Sequence, residues 1–114
     1  MIERGQVYDF DFGSPRDRRQ AGRRPVLIIQ TDLLHQVPGY NLTHVVPLTT
    51  RHRSVPTRIQ IDPSPENGLE GVSYAICEQV FLIPVSELLG LRGKISKQDQ
   101  YRVAQALQDV FAIS

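Results

Sequence analysis

Apolar and polar positions change period several times along the 114-residue chain. Residues 6–12 alternate, with Tyr8, Phe10 and Phe12 on one side and Val7, Asp9 and Asp11 on the other. A period of two predicts a strand, here with an aromatic inner face. Gly13-Ser14-Pro15 ends it. Val26-Leu27-Ile28-Ile29 is an unbroken apolar run and predicts a second strand over 25–30, buried on both faces. Thr31-Asp32 reads as a helix cap, followed by one helical turn at Leu33-Leu34 and a chain turn at Pro38-Gly39. Residues 42–49, LTHVVPLT, predict a third strand. Pro47 has no N–H to give a ladder, so that end is expected at an edge or a bulge. Residues 57–62, TRIQID, alternate cleanly and predict a fourth strand with Ile59 and Ile61 inward.

Residues 63–71 hold two prolines, Asn67-Gly68 and Gly71, and predict a turn-rich loop. Residues 72–83 are long enough for one bent strand or two short ones, and a short turn at 87–89 stops at Gly90. The last element is the clearest. Ser96 suits an N-cap and Asp99 follows three residues later, close to a capping box. Val103, Leu107, Val110 and Phe111 recur at i, i+4, i+7 and i+8, the spacing of an amphipathic helix. Many short antiparallel strands and one final helix predict a mainly β fold, a small barrel or half-barrel capped by the helix. The length suits a single domain spanning 1–114.

Composition narrows the function. Hydrophobic residues make up 40% and charged residues 22%, an ordinary soluble composition. Cys77 is the only cysteine, which excludes a disulfide framework within the chain and suits a reducing cytoplasm. The start, Met1-Ile2-Glu3-Arg4-Gly5, has no apolar run behind its charge, so no signal peptide is expected. No apolar segment approaches bilayer-spanning length, and no membrane partner is expected.

The net charge of +1 hides an asymmetry. Residues 1–57 carry eight Lys+Arg against five Asp+Glu; residues 58–114 carry five against seven. Eight of the eleven arginines fall between Arg16 and Arg58. Fixed, planar, bidentate donors in that number suggest an anionic partner such as a nucleic acid, with a solvated basic face as the plain alternative.

The densest part is RDRRQAGRR, residues 16–24, with five arginines in nine positions, and the loop over 13–22 is expected to be mobile. Gly22 frees the backbone before Arg23 and Arg24, and Pro25 keeps Arg24 extended. Arg24 is therefore expected at the rim of the core, its guanidinium held by a stiff backbone and fit to grip a phosphate. Other chemistry is thin. Gly90-Leu91-Arg92-Gly93 is too short for a phosphate-binding glycine loop, and His35, His44 and His52 show no metal-ligand spacing. His44 reads as a satisfied structural histidine and Cys77 as a small buried hydrophobe. Arg24, Thr49, Thr50, Glu78 and Gln79 remain, each at or near a predicted strand end.

At these positions the chain resembles the MazF/PemK toxins of type II toxin–antitoxin systems. RGQVY at 4–8, QAGRRPVLII at 20–29, VVPLTT at 45–50 and CEQ at 77–79 carry the resemblance, in the family's order and spacing. The resemblance implies an SH3-like barrel, a cytoplasmic homodimer, and sequence-selective cleavage of single-stranded RNA without metal or other cofactor. The substrate's own 2′-hydroxyl would attack the adjacent phosphate, leaving a 2′,3′-cyclic phosphate and a free 5′-hydroxyl. By the same resemblance Arg24 stabilises the phosphorane, Thr49 hydrogen-bonds the scissile phosphate, and Glu78 is the candidate general base. A strand-end threonine capping a turn and a glutamate paired to a nearby arginine are the structural alternatives for the last two.

Arg18, Arg19, Gln20, Arg23, Thr50, Arg51, Arg53 and Gln79 are the expected RNA-binding residues, with Tyr8, Tyr40 and Tyr74 as stacking platforms. The expected protein partner is a cognate antitoxin whose acidic, extended tail fills the same groove. Four positions depart from the family pattern. Arg18 and Arg19 stand where many relatives have a histidine or serine and then a glutamate. Ile76 stands where some carry a catalytic arginine, and Phe81 where arginine is common. Arg51, Arg53 and Arg58 are the nearby charges that could substitute. Ile76 and Phe81 also keep open a non-cutting homologue on the same fold, binding RNA or antitoxin, or a toxin of the gyrase-poisoning type.

Overall fold

The structure, a computed structural model, describes residues 1–14 and 21–113. The chain runs β1 (Gln6–Asp11), β2 (Arg23–Ile28), α1 (Asp32–His35), β3 (Leu42–Thr49), β4 (Arg58–Ile61), β5 (Ser73–Ile76), β6 (Phe81–Pro84), β7 (Leu91–Lys94) and α2 (Lys97–Val110). The strands form one antiparallel sheet in the order β4-β5-β3-β2-β1-β7, and β6 pairs β3 off this path. This is the mainly β, curled small barrel capped by a C-terminal helix that the sequence pattern predicts.

The sheet is covered on both faces, because its strands bury both alternating sets of side chains. One face curls around Val7, Leu27, Val46, Leu48, Ile61 and Ala75, and α2 closes it with Val103 and Ala106. The other face carries a smaller cluster of Phe10, Val26, Ile28, Val45 and Ile83, flanked by Tyr8, Phe12 and Phe81. The aromatic side of β1 therefore lies on this smaller cluster, while Val7, with no exposed surface, faces the main core. Two ladders of buried apolar side chains hold β2 and β3 at the centre, which fixes the backbone that carries the site.

Most predicted elements are present. Thr31 caps α1, its hydroxyl accepting from the Leu33 N–H at 3.2 Å, and Ser96 caps α2 by accepting from the Asp99 N–H at 3.1 Å. Residues 72–83 resolve into two short strands, β5 and β6, with Cys77 in the turn between them. Cys77 has no exposed surface, and burial, then the nearby Glu78 charge, pushes its thiol up to about 12; it is inert packing. The half-buried His44 bonds Gln30 at 2.8 Å, as a structural histidine should.

Three expectations are corrected. Pro47 is neither at an edge nor exposed: β3 pairs with β2, β5 and β6. The Ile29 N–H donates to the His44 carbonyl at 3.1 Å, which makes Ile28–Val45 and Val26–Pro47 the non-hydrogen-bonded pairs of that ladder. The missing N–H of Pro47 thus faces away from β2, into the seam where the neighbour of β3 changes from β6 to β5. Secondly, Leu91-Arg92-Gly93-Lys94, to which the pattern assigns no element, forms strand β7. Thirdly, Phe111 is the C-cap of α2 and 56% exposed; Ala106 takes the buried place instead.

Candidate active site

The β1–β2 hairpin delivers the first site residue. The Phe12 N–H donates to the Gly22 carbonyl at 2.9 Å and the Gly22 N–H to the Gly13 carbonyl at 2.7 Å, with both glycines at positive φ. These bonds pinch the loop where it meets the sheet. Arg24 follows inside β2, extended before Pro25 and half-buried, with its Nε–H donating to the Ala21 carbonyl at 3.0 Å. One edge of the guanidinium is thereby tied to its own hairpin. The chain pairs Arg24 with Phe10, and Phe10 and Val26 belong to the smaller cluster, so Arg24 emerges on that face.

Strand register assembles the rest. Val26 pairs Pro47 at the end of the β2–β3 ladder, and Arg24 and Thr49 each lie two residues beyond that pair. Thr49 pairs Tyr74, and Tyr74 pairs Gln60. Leu48, Ala75, Ile59 and Ile61 point to the main core, so by alternation Thr49, Tyr74 and Gln60 lie on the same face as Arg24. A row of paired residues, Thr49–Tyr74–Gln60, therefore crosses three strands on the face that carries Arg24, at a spacing of about 4.8 Å per strand. The Thr49 hydroxyl oxygen accepts from the Arg51 N–H at 3.2 Å, so it does cap the turn. That bond leaves the hydroxyl proton free to be donated.

Glu78 lies off this row. Thr57 donates to its Oε1 at 2.9 Å and the Nε–H of Arg58 to its Oε2 at 2.8 Å. Burial works to raise its carboxyl, but the bonds from Arg58, its own backbone N–H and Thr57, with the Arg58 charge, hold it below the usual range. The expected salt bridge is present, and it makes the carboxylate a weak base. Arg58 is also the cross-strand partner of Ile76 on the same face of the sheet. A guanidinium thus stands one strand away from the position where the family pattern has its arginine.

Thr50, Arg51 and Arg53 are exposed in the loop that leaves Thr49, and the Gln79 N–H closes the β5–β6 turn onto the Ile76 carbonyl at 3.0 Å. Arg23 alternates to the opposite side from Arg24, its guanidinium mostly in solvent and 4.0 Å from Asp9, which Arg92 holds more closely at 2.8 Å. Arg18, Arg19, Gln20 and most of the loop expected to be mobile lie outside the described residues. Tyr74 is half-buried and stands edge-on to His52, ring centroids 5.1 Å apart. Tyr8 spends its hydroxyl on Gln6 at 3.3 Å. Among the described residues no group of three His, Cys, Asp or Glu could hold a metal.

Gln60 and Arg102 carry no signal in the sequence. Gln60 joins only through the register of three strands, and Arg102 reaches it from α2, its Nη1 donating to the Gln60 carbonyl at 2.8 Å.

A curled antiparallel sheet closed on one face by a C-terminal helix defines a small β-barrel. Residues 3–111 match the family described as PemK-like, MazF-like toxin of type II toxin–antitoxin system, and the chain belongs to it. A probable endoribonuclease MazF of Mycolicibacterium smegmatis is 34% identical over 107 residues, 93% of each chain. Endoribonuclease EndoA of Bacillus subtilis is 26% identical over 113 residues, 99% of this chain and 97% of its own. A mycobacterial endoribonuclease solved in complex with its cognate antitoxin superposes with a TM-score of 0.82 at 24% identity, covering 100% of this chain and 98% of that one.

Proposed function

We propose that this chain is the RNA-cleaving toxin of a type II toxin–antitoxin pair and that the face carrying Arg24 and Thr49 is where it cuts. The observation that carries the reading is a half-buried arginine and a free-to-donate threonine hydroxyl on one face of two neighbouring strands, each two residues beyond the last pair of their ladder. In the reaction the 2′-oxygen of a ribose bonds to the neighbouring phosphorus and the bond to the 5′-oxygen breaks. The 2′-hydroxyl proton goes to a base, and the departing 5′-oxygen takes one up. Arg24 faces the charge that develops on the phosphorane, where a preorganised donor has most effect. Thr49 donates to a non-bridging oxygen. The products are a 2′,3′-cyclic phosphate and a 5′-hydroxyl, and no cofactor is required, because the nucleophile belongs to the substrate.

Glu78 is the proposed base. Its pairing with Arg58 keeps it ionised but weakly basic, so its effect belongs at the low end of general base catalysis, about a hundredfold. Glu78→Gln is expected to slow cleavage by that factor at pH 7; an unchanged rate would leave Glu78 as a strut for Arg58. The same pair predicts a stability profile. A carboxyl whose folded pKa is depressed stabilises the fold above its unfolded value, about 4.3 for glutamate, and loses that contribution as pH falls through the folded value. Wild type should therefore melt above Glu78→Gln at pH 7, with the difference closing as the pH falls below the usual carboxylate range.

Thr50, Arg51, Arg53 and Gln79, with Arg18, Arg19, Gln20 and Arg23 of the hairpin loop, are the proposed contacts to single-stranded RNA. The working form is proposed to be a cytoplasmic homodimer, silenced by an antitoxin whose acidic, extended tail occupies the same face. The test is incubation of the purified protein with mixed single-stranded RNA in EDTA, followed by mapping of the ends. Discrete cuts with 5′-hydroxyl ends are expected, whereas intact RNA would point to a non-cutting binder.

A further inference from the structure

The loop between β4 and β5 turns at Asn67-Gly68, where it meets β7. Asn67 is 3% exposed, and its carboxamide bonds in both directions. Its Oδ1 accepts from the Ser64 and Leu69 N–H groups, both at 3.0 Å, and its Nδ2 donates to the Asp62 carbonyl at 2.9 Å. An ionised aspartate is an acceptor only and has nothing to give that carbonyl. Gly68 stands at φ +66°, and a Cβ on it would overlap the Arg92 carbonyl oxygen of β7. The docking of β7 thus calls for asparagine followed by glycine, and that pair is chemically labile. The glycine nitrogen attacks the asparagine Cγ, unhindered because glycine has no Cβ. In the folded chain the Gly68 N–H instead donates to the Ser64 carbonyl at 3.1 Å, and the three carboxamide bonds hold Cγ in place.

We propose that Asn67 is a deamidation site gated by opening of this loop, and that its conversion unlatches β7 for good. In the open loop the Gly68 N–Asn67 Cγ bond forms and the Cγ–Nδ2 bond breaks. Nδ2 leaves as ammonia, taking the proton from Gly68. Water then opens the cyclic imide at one carbonyl or the other, giving aspartate or its β-linked isomer. The rate follows the fraction of molecules with the loop open. Neither product fits the old place. Aspartate sets a carboxylate oxygen against the Asp62 carbonyl, where an N–H stood. The β-linked isomer adds a main-chain carbon where the loop and Gly93 pack backbone on backbone. Since β7 pairs β1 and β1 pairs β2, the lesion loosens the sheet from its edge inwards. Each molecule that reacts while open is thereby withdrawn from the folded pool.

The chain carries its own control. Its one other asparagine, Asn41, is exposed but precedes Leu42, whose side chain hinders the attack. The full chain is held in mildly alkaline buffer, native or in urea. Peptides covering both asparagines are followed by mass spectrometry, with chromatography to separate the β-linked product. Asn67 should convert more slowly in the native chain than in urea, by roughly tenfold or more, because the closed loop withholds Gly68. Asn41 should stay intact in both. Native Gly93→Ala, kept below its melting temperature, should convert Asn67 faster than native wild type. Asn67→Asp, the variant with the aspartate product built in, should melt below wild type. Equal rates for Asn67 in native chain and urea would overturn the gate. An Asn67 that persists in urea as long as Asn41 would overturn the site itself. Asn67→Asp melting with wild type would show that deamidation leaves β7 docked, against the proposal.

Discussion

Arg24→Ala is expected to slow RNA cleavage at least a hundredfold, about the loss seen when one preorganised transition-state donor is removed. Melting temperature and RNA binding should change little. The guanidinium makes a single hydrogen bond among the described residues, to the Ala21 carbonyl, and the strand beneath it is held by Val26, Leu27 and Ile28. The loss should therefore sit in the rate constant measured at saturating enzyme. Arg24→Lys should recover little, because a point charge does not reproduce the planar fork that spans two phosphate oxygens. Thr49→Val should cost less, roughly tenfold, the scale of one hydrogen bond to a charged group. Single-turnover cleavage of one defined RNA gives all three. A rate for Arg24→Ala equal to wild type would remove Arg24 from the chemistry.

The second large effect concerns stability. Gly93→Ala should destabilise the fold by about 3 kcal/mol, the upper part of the overpacking range, and lower the melting temperature by roughly 10 °C. A Cβ on Gly93 would overlap the Glu66 carbonyl oxygen and come within 2.7 Å of the Asn67 carbonyl carbon. The Glu66 carbonyl also accepts the Lys94 N–H at 2.8 Å, so it cannot withdraw without breaking the contact that docks β7 on the loop. The loop is rigid in turn: the Asn67 Oδ1 accepts from the Ser64 and Leu69 N–H groups, both at 3.0 Å, and its Nδ2 donates to the Asp62 carbonyl at 2.9 Å. Gly90→Ala is the control, since a Cβ there meets nothing within 4 Å. Equal melting temperatures for the two variants would mean that the loop yields easily.

The same glycine shows where sequence patterning runs out. β7 has four residues, one of them Gly93, and no apolar alternation; its place in the sheet comes from pairing with β1 and from backbone packed against backbone. None of that is a local property. Long periodic segments behave differently. β3 spans the residues that its pattern predicts, and α2 starts at the Ser96 cap, because burial of an amphipathic face and capping are encoded nearby in the chain.

The site divides in the same way. Arg24 is legible from Gly22 and Pro25, which fix the backbone around it. Its place on one face with Thr49, Tyr74 and Gln60 depends on register between strands far apart in sequence. Glu78 is legible as a charged residue at a turn, but its pairing with Thr57 and Arg58, some twenty residues earlier, decides its basicity.

The most direct measurement replaces the ribose at the mapped cut site with 2′-deoxyribose in an otherwise unchanged RNA. If the substrate's own 2′-hydroxyl is the nucleophile that Arg24 and Thr49 serve, wild-type protein should bind this RNA with unchanged affinity and leave that phosphate intact. Cleavage at the deoxy position would contradict the account, since water or a protein group would then have to be the attacking nucleophile.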